Sequence, residues 1–472
     1  MKKTLPKNQW LPSLYALVKQ AFPIYIGQMA VILYGVIDSI MAGRSHPEAL
    51  AVLALAGGVY MTCAIGFGGI VFVLNPLVAH DFGAKKYYRT RIWLFQSIWP
   101  IVLVTLLSVL IFYGVSYFLP RMNLSQEITQ ATKSYLFIIS LAMPAAFMLR
   151  ALYAINTAIL NTSIVMLTQL LGLLIKIPLN YLFIYSNFAQ TLSVSPSDAC
   201  AISSTLTYWI LCLGLLYHAL YRVVPSQSPN QSWWQELKPN FYYLYKLLAM
   251  GIPSTLIIFT EVAAFTLMAW FIAPFGAIQT AAHQVAVSFA GVVYMIPLSI
   301  AIATATLTSQ QLGARQANAA KQIALTGLGF GSVLSILIGI LVAWQATFLV
   351  SIYTKDALVI QFASTLLLWV GVYQLFDAVQ AISCHILRCY RITVLPMFIY
   401  AISMLVVAFT IGYASAHQWG FFASTPILNR LYQAHGYWFG VSMGLAVAAI
   451  ALSALLWRVF KAPPPDDDFP IH

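Results

Sequence analysis

Charged side chains are scarce here: Lys, Arg, Asp and Glu make up 8% of 472 residues, against roughly 25% in a soluble domain. With 61% hydrophobic residues there is too little polar surface to enclose a water-soluble core. Alternation is missing as well. The apolar stretches are continuous rather than every second residue, which rules out a transmembrane β-barrel. Cysteine is sparse: Cys63, Cys200, Cys212, Cys384 and Cys389 stand in or beside apolar runs with no CxxC pair and no zinc spacing. Neither a disulfide framework nor a zinc site is expected. Nothing resembles a selectivity-filter loop. No HExxH, hydrolase elbow or paired-His constellation is read on facing runs, so an intramembrane enzyme is not expected. The start, MKKTLPKNQW, has no short apolar core followed by a small-residue cleavage site, so the first long apolar run is expected to remain as a helix.

What is present is a series of long apolar runs, about 13–42, 50–79, 92–119, 134–158, 164–186, 199–221, 243–273, 279–308, 322–350, 359–387, 394–415 and 436–459. Each is near or above the ~20 residues a helix needs to cross a bilayer. The expected fold is an all-α polytopic membrane protein with twelve transmembrane helices. The net charge of +12 does not indicate nucleic acid, because the basic residues fall in short clusters between runs. With the N-terminus inside, 17 of them lie in inner connections (among them Lys85, Lys86, Arg89, Arg91, Arg315, Lys321 and Arg388) and five in outer ones (Arg44, Arg121, Lys133, Lys355, Arg430). This asymmetry predicts both termini in the cytoplasm of a multi-pass membrane protein.

The expected organisation is an N-terminal lobe over 1–222, a cytoplasmic linker over 223–242 with interfacial Trp233 and Trp234, a C-terminal lobe over 243–461 and a disordered acidic tail over 462–472. The halves repeat. At an offset of 230, Pro23 falls on Pro253, Ala51 on Ala281, Ala56 on Ala286, Leu77 on Leu307 and Gly83-Ala84 on Gly313-Ala314. A weaker match at 227 places Ala151 on Ala378 and Leu160 on Leu387. Six crossings return the chain to its starting side, so the two six-helix lobes are expected to be related by a pseudo-two-fold axis along the membrane normal.

Charges inside runs are few, and each is a candidate. A carboxylate in such a run costs roughly 2.5–3.5 kcal/mol on insertion scales and should face other helices or water. Glu261 is the only formal charge between Gly251 and Leu298, and no base lies within a turn or two of it. Asp38 and Asp377 each follow a tyrosine by four residues, Tyr34 and Tyr373, which puts phenol and carboxylate on one helical face. A phenol can donate to a carboxylate, and both oxygens suit a hard cation. The alternative for either Asp is a helix-end pair with a snorkelled base. At 1.5 Å per residue, Glu261 lies ~20 Å from the inner surface and Asp377 ~20–25 Å from the outer one, so tilt is needed to bring them together. Lys176 lies about 18 Å into the fifth run. It must pair, deprotonate or snorkel to water, and Asp38 is its natural partner. Arg150 can snorkel from the inner end of its run. His283 and Gln284 add polarity to the eighth run, with His283 readable either as a hydrogen-bonded structural group or as a proton carrier. Pro23, Pro144, Pro178, Pro253 and Pro297 permit kinks.

The stretches FPIYIGQMAVILYGVIDSIMAG, IPLNYLFIY, EVAAF…APFG…AAHQVAVSF and YQLFDAVQ together resemble the multidrug and toxic compound extrusion (MATE) transporters of the NorM-like branch, over nearly the whole chain. The resemblance implies two lobes with alternating access and export of cationic amphiphilic drugs in exchange for Na⁺ or H⁺, with no other cofactor. The implied partners are small cationic drugs and lipid; a monomer is expected. It also implies a C-lobe cation site at Glu261, Tyr373 and Asp377 (the Na⁺ candidate), a cavity lined by Tyr294, Gln284 and His283, and an N-lobe site at Asp38, Tyr34 and Asn180. Lys176 departs from the family pattern, where Asn is usual, and puts Na⁺ binding in that lobe in doubt. A lipid-linked oligosaccharide flippase shares the plan and is the nearest rival, but would call for a basic cavity.

Overall fold

The computed structural model describes residues 10–121, 124–186, 195–223, 236–424 and 431–462. Trp233, Trp234, Arg430 and the tail from 463 on lie outside the described residues. Helix dominates because most residues lie in continuous apolar runs, where the backbone can satisfy its own hydrogen bonds within one segment only by helix. The long spans are α1 Leu11–Ser45, α2 Glu48–Gly83, α3 Tyr88–Arg121, the bent pair α4 Gln126–Ser140 with Met143–Ala158, α5 Thr162–Tyr185, α6 Pro196–Tyr221, α7 Phe241–Phe275, α8 Ala277–Gly313, α9 Ala317–Trp344, α10 Ala357–Cys389, α11 Val394–Ala416 and α12 Ala434–Val459. Counting the bent pair once, twelve helices among the described residues are long and apolar enough to cross a membrane.

Pro144 and Pro76 each stand just after a break in a helix. Pro144 lacks an N–H and its ring opposes the carbonyl four residues back, at Ser140. That is where the first half of α4 stops, and the two halves meet at 46°. Pro76 stands in the same relation to Phe72, the last residue of the first segment of α2. Pro23, Pro178, Pro253 and Pro297 are carried inside continuous helices. Between α7 and α8 the chain turns at Gly276, whose φ of 112° and ψ of 168° are open essentially only to glycine.

The chain forms two compact units, one of Phe22–Thr255 and one of Met1–Ala21 with Leu256–His472. The division falls inside α7 rather than in the 223–242 connection expected from the sequence, and local contacts explain why. Gln96 donates to the carbonyls of Glu236 (2.7 Å) and Lys238 (2.8 Å) and accepts from the Asn240 N–H (2.8 Å). Arg91 pairs with Glu236, and Trp93 meets Tyr243 edge-on at 4.7 Å. A Cβ on Gly251 would stand 2.9 Å from the Ile70 backbone. The beginning of α7 is thus fastened to α2 and α3.

The internal repeat is visible in how helices end. At the close of α2, Lys85 takes φ 60°, and its N–H and that of Lys86 bond to the carbonyls of Phe82 and Asp81. At the close of α8, Arg315 takes φ 58°, and its N–H and that of Gln316 bond to Leu312 and Gln311. Both are Schellman caps with a basic residue in the left-handed position, 230 residues apart. The ends of α4 and α10 match likewise: Leu160 (φ 63°) and Arg391 (φ 62°) occupy one position of one motif. Those two are 231 apart, which replaces the 227 offset expected from Leu160 and Leu387. The apolar letters invited a slip of one helical turn.

Close helix approach is supplied by glycine. On α12, Gly436, Gly440 and Gly444 recur every fourth residue and face α11. A Cβ on Gly440 would overlap the Ala408 carbonyl oxygen, and one on Gly444 would stand 2.6 Å from the Ser403 carbonyl oxygen. Small-xxx-small spacing lets helices touch backbone to backbone where no hydrophobic force separates them from lipid. The string Gly440-Val441-Ser442-Met443-Gly444 also spells the hydrolase elbow GxSxG, contrary to the reading above. That motif needs a strained strand-to-helix turn. Here it lies within one helix, and Ser442 donates to the Trp438 carbonyl at 2.8 Å. Gly440→Val is therefore expected to destabilise the detergent-solubilised protein by about 3 kcal/mol or more, since overpacking alone costs about 1–3 and the neighbour here is backbone. Gly114→Ala, whose Cβ meets nothing within 4 Å, should be neutral in the same thermal melt.

Candidate acidic sites

The unit containing α8 to α12 gathers Glu261, Tyr373, Asp377, Tyr294 and Tyr400. Asp377 is 7% exposed and Tyr373 3%, while Glu261 and Tyr294 are half-buried. Asp377 lies in the electrostatic field of Glu261, and Tyr294, Tyr373 and Tyr400 each sit in the field of both carboxyls. The two depths estimated from sequence are thereby reconciled: α7 and α10 bring their acids together. Among the described residues, neither carboxyl has a basic group within ion-pair distance. Two acids flanked by phenols form an all-oxygen donor set. It suits protons or a hard monovalent cation better than a transition metal, and no cluster of three His, Cys, Asp or Glu occurs among the described residues.

Trp438, fully buried, supports this group. Its indole stacks on Tyr373 at 5.9 Å and 26°, meets His283 edge-on at 5.8 Å and packs beside Phe265 at 6.4 Å. His283 is 1% exposed and points inward. Gln284 is exposed, because successive helical residues point about 100° apart; its neighbour takes the inward face and it takes none of the acidic group. Sequence reasoning missed Trp438 and Tyr400. The glycine spacing around Trp438 marked the packed face and was the available signal; Tyr400, in an apolar stretch with no nearby charge, offered none.

The other unit holds Asp38, Tyr34, Lys176 and Asn180, and its charges are closed on one another. Lys176, 1% exposed, places Nζ 3.0 Å from Asp38 Oδ1 and donates to Ser204 Oγ at 2.6 Å. Asn180 Nδ2 donates to the same Asp38 oxygen at 2.8 Å. Lys176 and Asn180 are four apart on α5, so both meet α1 from one face. Of the three alternatives for Lys176, pairing is the one found. Tyr34 behaves differently from the phenol expected beside its carboxylate: its hydroxyl donates to the Gln169 carbonyl at 2.6 Å. Gly172, four residues before Lys176, makes room for that ring, since a Cβ there would overlap the Tyr34 oxygen. Arg150, half-buried, lies over the Phe72 ring at 5.7 Å.

A family model described as MatE matches residues 23–182 and 253–414. A probable multidrug resistance protein NorM from Neisseria meningitidis serogroup B is 30% identical over 445 residues, covering 94% of each chain. A multidrug resistance protein NorM from Aliivibrio fischeri is 27% identical over 452 residues, covering 95% of this chain and 96% of its own. Among solved structures, a eukaryotic MATE transporter superposes with a TM-score of 0.82 at 18% identity, covering 95% of this chain and 96% of that one.

The closed pair in the N-terminal unit makes a stability prediction. Removing one partner of a buried pair strands the other charge and costs roughly 3–5 kcal/mol, whereas replacing both is often near neutral. Asp38→Asn alone should lower the melting temperature sharply, and adding Lys176→Met should restore most of it.

Proposed function

This chain belongs to the MatE family, and from that premise we propose that it exports cationic, amphiphilic compounds in exchange for Na⁺ or H⁺. The family is one of membrane transporters, so the chain is a multi-pass membrane protein and not an enzyme. The observation that carries the antiport reading is the Glu261–Asp377 pair, with Asp377 in the field of Glu261, phenols around them and, among the described residues, no basic partner. A bare pair in a low-dielectric setting is costly, so it holds an ion, a proton or the drug's own positive charge. Sodium or protons and drug then compete for one place. The half-buried Glu261 supplies access and the buried Asp377 supplies retention.

Transport follows if the ion stabilises one conformation more than the other. The lobes 1–222 and 243–461 are the bodies we assign to alternating access, with both termini in the cytoplasm of a bacterial inner membrane. The inward ion gradient resets the protein once the drug has left. In this reading Tyr294 and His283 belong to the drug's path beside the pair, and the exposed Gln284 to its outer part. The protein acts as a monomer within the bilayer. An acidic rather than basic site argues against a flippase for pyrophosphate-linked lipids.

Glu261→Gln and Asp377→Asn should each lower ethidium efflux from whole cells at least tenfold while leaving the amount of protein in the membrane fraction unchanged. Wild-type efflux from both variants would sink the proposal. Proteoliposomes given a pH gradient and then a Na⁺ gradient identify the exchanged ion.

A further inference from the structure

We propose that the acidic site of the N-terminal unit is permanently filled by the chain's own ammonium. Lys176 stands where an alkali cation would be held between α1, α5 and α6, and this unit exchanges no ion. The inference rests on the transporter reading above and deepens it: the Glu261–Asp377 pair becomes the single exchanging site of the molecule.

The donors around Lys176 Nζ are those of a hard-cation site. Asp38 contributes a carboxylate at 3.0 Å and Ser204 a hydroxyl at 2.6 Å. Asn180 approaches from the turn after Lys176, gives its Nδ2 protons to Asp38, and leaves its Oδ1 buried with no hydrogen-bond partner. Asn180 is 0% exposed, so that oxygen is an acceptor withdrawn from water and unused. A small cation between the three residues could take all three oxygens. The ammonium, held on a four-carbon stem, takes two. The carbonyl of Asp38 is engaged as well, by the Cys200 thiol at 3.9 Å, and the Tyr34 hydroxyl is spent on Gln169.

Tethering decides the competition. A group held in place by its own backbone acts at an effective concentration far above that of any free ion, so millimolar Na⁺ does not displace it. The Glu261–Asp377 pair has no such tethered competitor among the described residues. One unit is therefore neutralised from within, and the other by whatever cation arrives.

The test is Na⁺ binding by the purified full-length protein in detergent, read as a Na⁺-dependent thermal shift against K⁺ and as bound ²²Na⁺ per chain. The background is Glu261→Gln with Asp377→Asn, which silences the other unit. That background is expected to show no Na⁺ response. Adding Lys176→Asn is expected to create a saturable response in the millimolar range and about one bound ion per chain, and Asp38→Asn on top should remove it. An Asp38-dependent Na⁺ response in the background without Lys176→Asn would overturn the proposal, and so would no response once Lys176→Asn is added and the protein is folded. Should Lys176→Asn not fold, the neutral pair Asp38→Asn with Lys176→Met, in the otherwise wild-type chain, reads the same question. It should bind the same number of Na⁺ ions as wild type, and the loss of one ion would overturn the proposal. These readouts involve no drug, so they stand or fall separately from the efflux assay on Glu261→Gln.

Discussion

A negative charge taken out of water must be given a positive neighbour, and the chain meets that constraint in two different ways. Asp38 has its counter-charge built in. Lys176 reaches it at 3.0 Å from a neighbouring span, and both side chains are almost fully buried. Glu261 and Asp377 have, among the described residues, no basic partner, and a set of phenols lies in their field. The first arrangement is a finished structure; the second is complete only when something positive joins it. A protein that moves cations needs at least one place of the second kind, and a protein that stays folded in a low-dielectric core cannot afford many.

The internal repeat makes this asymmetry sharper. The scaffold is duplicated down to the backbone: Lys85 and Arg315 close their helices through the same hydrogen bonds, as do Leu160 and Arg391. The charges are not. At the offsets set by those turns, Glu261 corresponds to Val31, Asp377 to Ala146 and Asp38 to Met268. These three acids therefore stand at positions where the other unit has apolar side chains. The shared framework fixes where helices start, turn and stop, and the ionisable groups have been placed on it independently.

How far the sequence could be read follows from the same physics. Span number and approximate limits were legible, because ~20 apolar residues in succession have one inexpensive conformation in lipid. The ion pair was legible because charge is so scarce that Lys176 had few partners to choose from. Facing directions were not. In a membrane span both the packed and the lipid-facing sides are apolar, so no periodicity announced that His283 would point inward and Gln284 outward, or that Tyr34 would spend its proton on a carbonyl. The division of contacts inside α7 was not legible for a related reason. A polar connection was visible at 223–242, but nothing in the letters showed that Gln96 and Arg91 would fasten its end to α3. Trp438 was within reach, since Gly436, Gly440 and Gly444 mark a helix face pressed against another, and the residue two places into that motif stands out once the glycines are read as packing rather than as turns.

In the antiport reading proposed above, the Glu261–Asp377 pair also limits what one transport cycle can accomplish. Two carboxylates carry at most two negative charges, and a single Na⁺ or proton leaves one behind for a second cation. A monovalent drug and a monovalent ion therefore need not exclude one another completely; they compete to the extent that the pocket will not hold both. The phenols set that extent. Tyr294, Tyr373 and Tyr400 can donate to a carboxylate left unneutralised, or turn their oxygens toward a bound cation, so they moderate the cost of either half-filled state. Of the three, Tyr373 has its ring fixed by Trp438 at 5.9 Å, while Tyr294 remains half-buried. In that reading, rigidity at one phenol and access at another let the same two acids be selective in where a cation sits and permissive about what that cation is attached to.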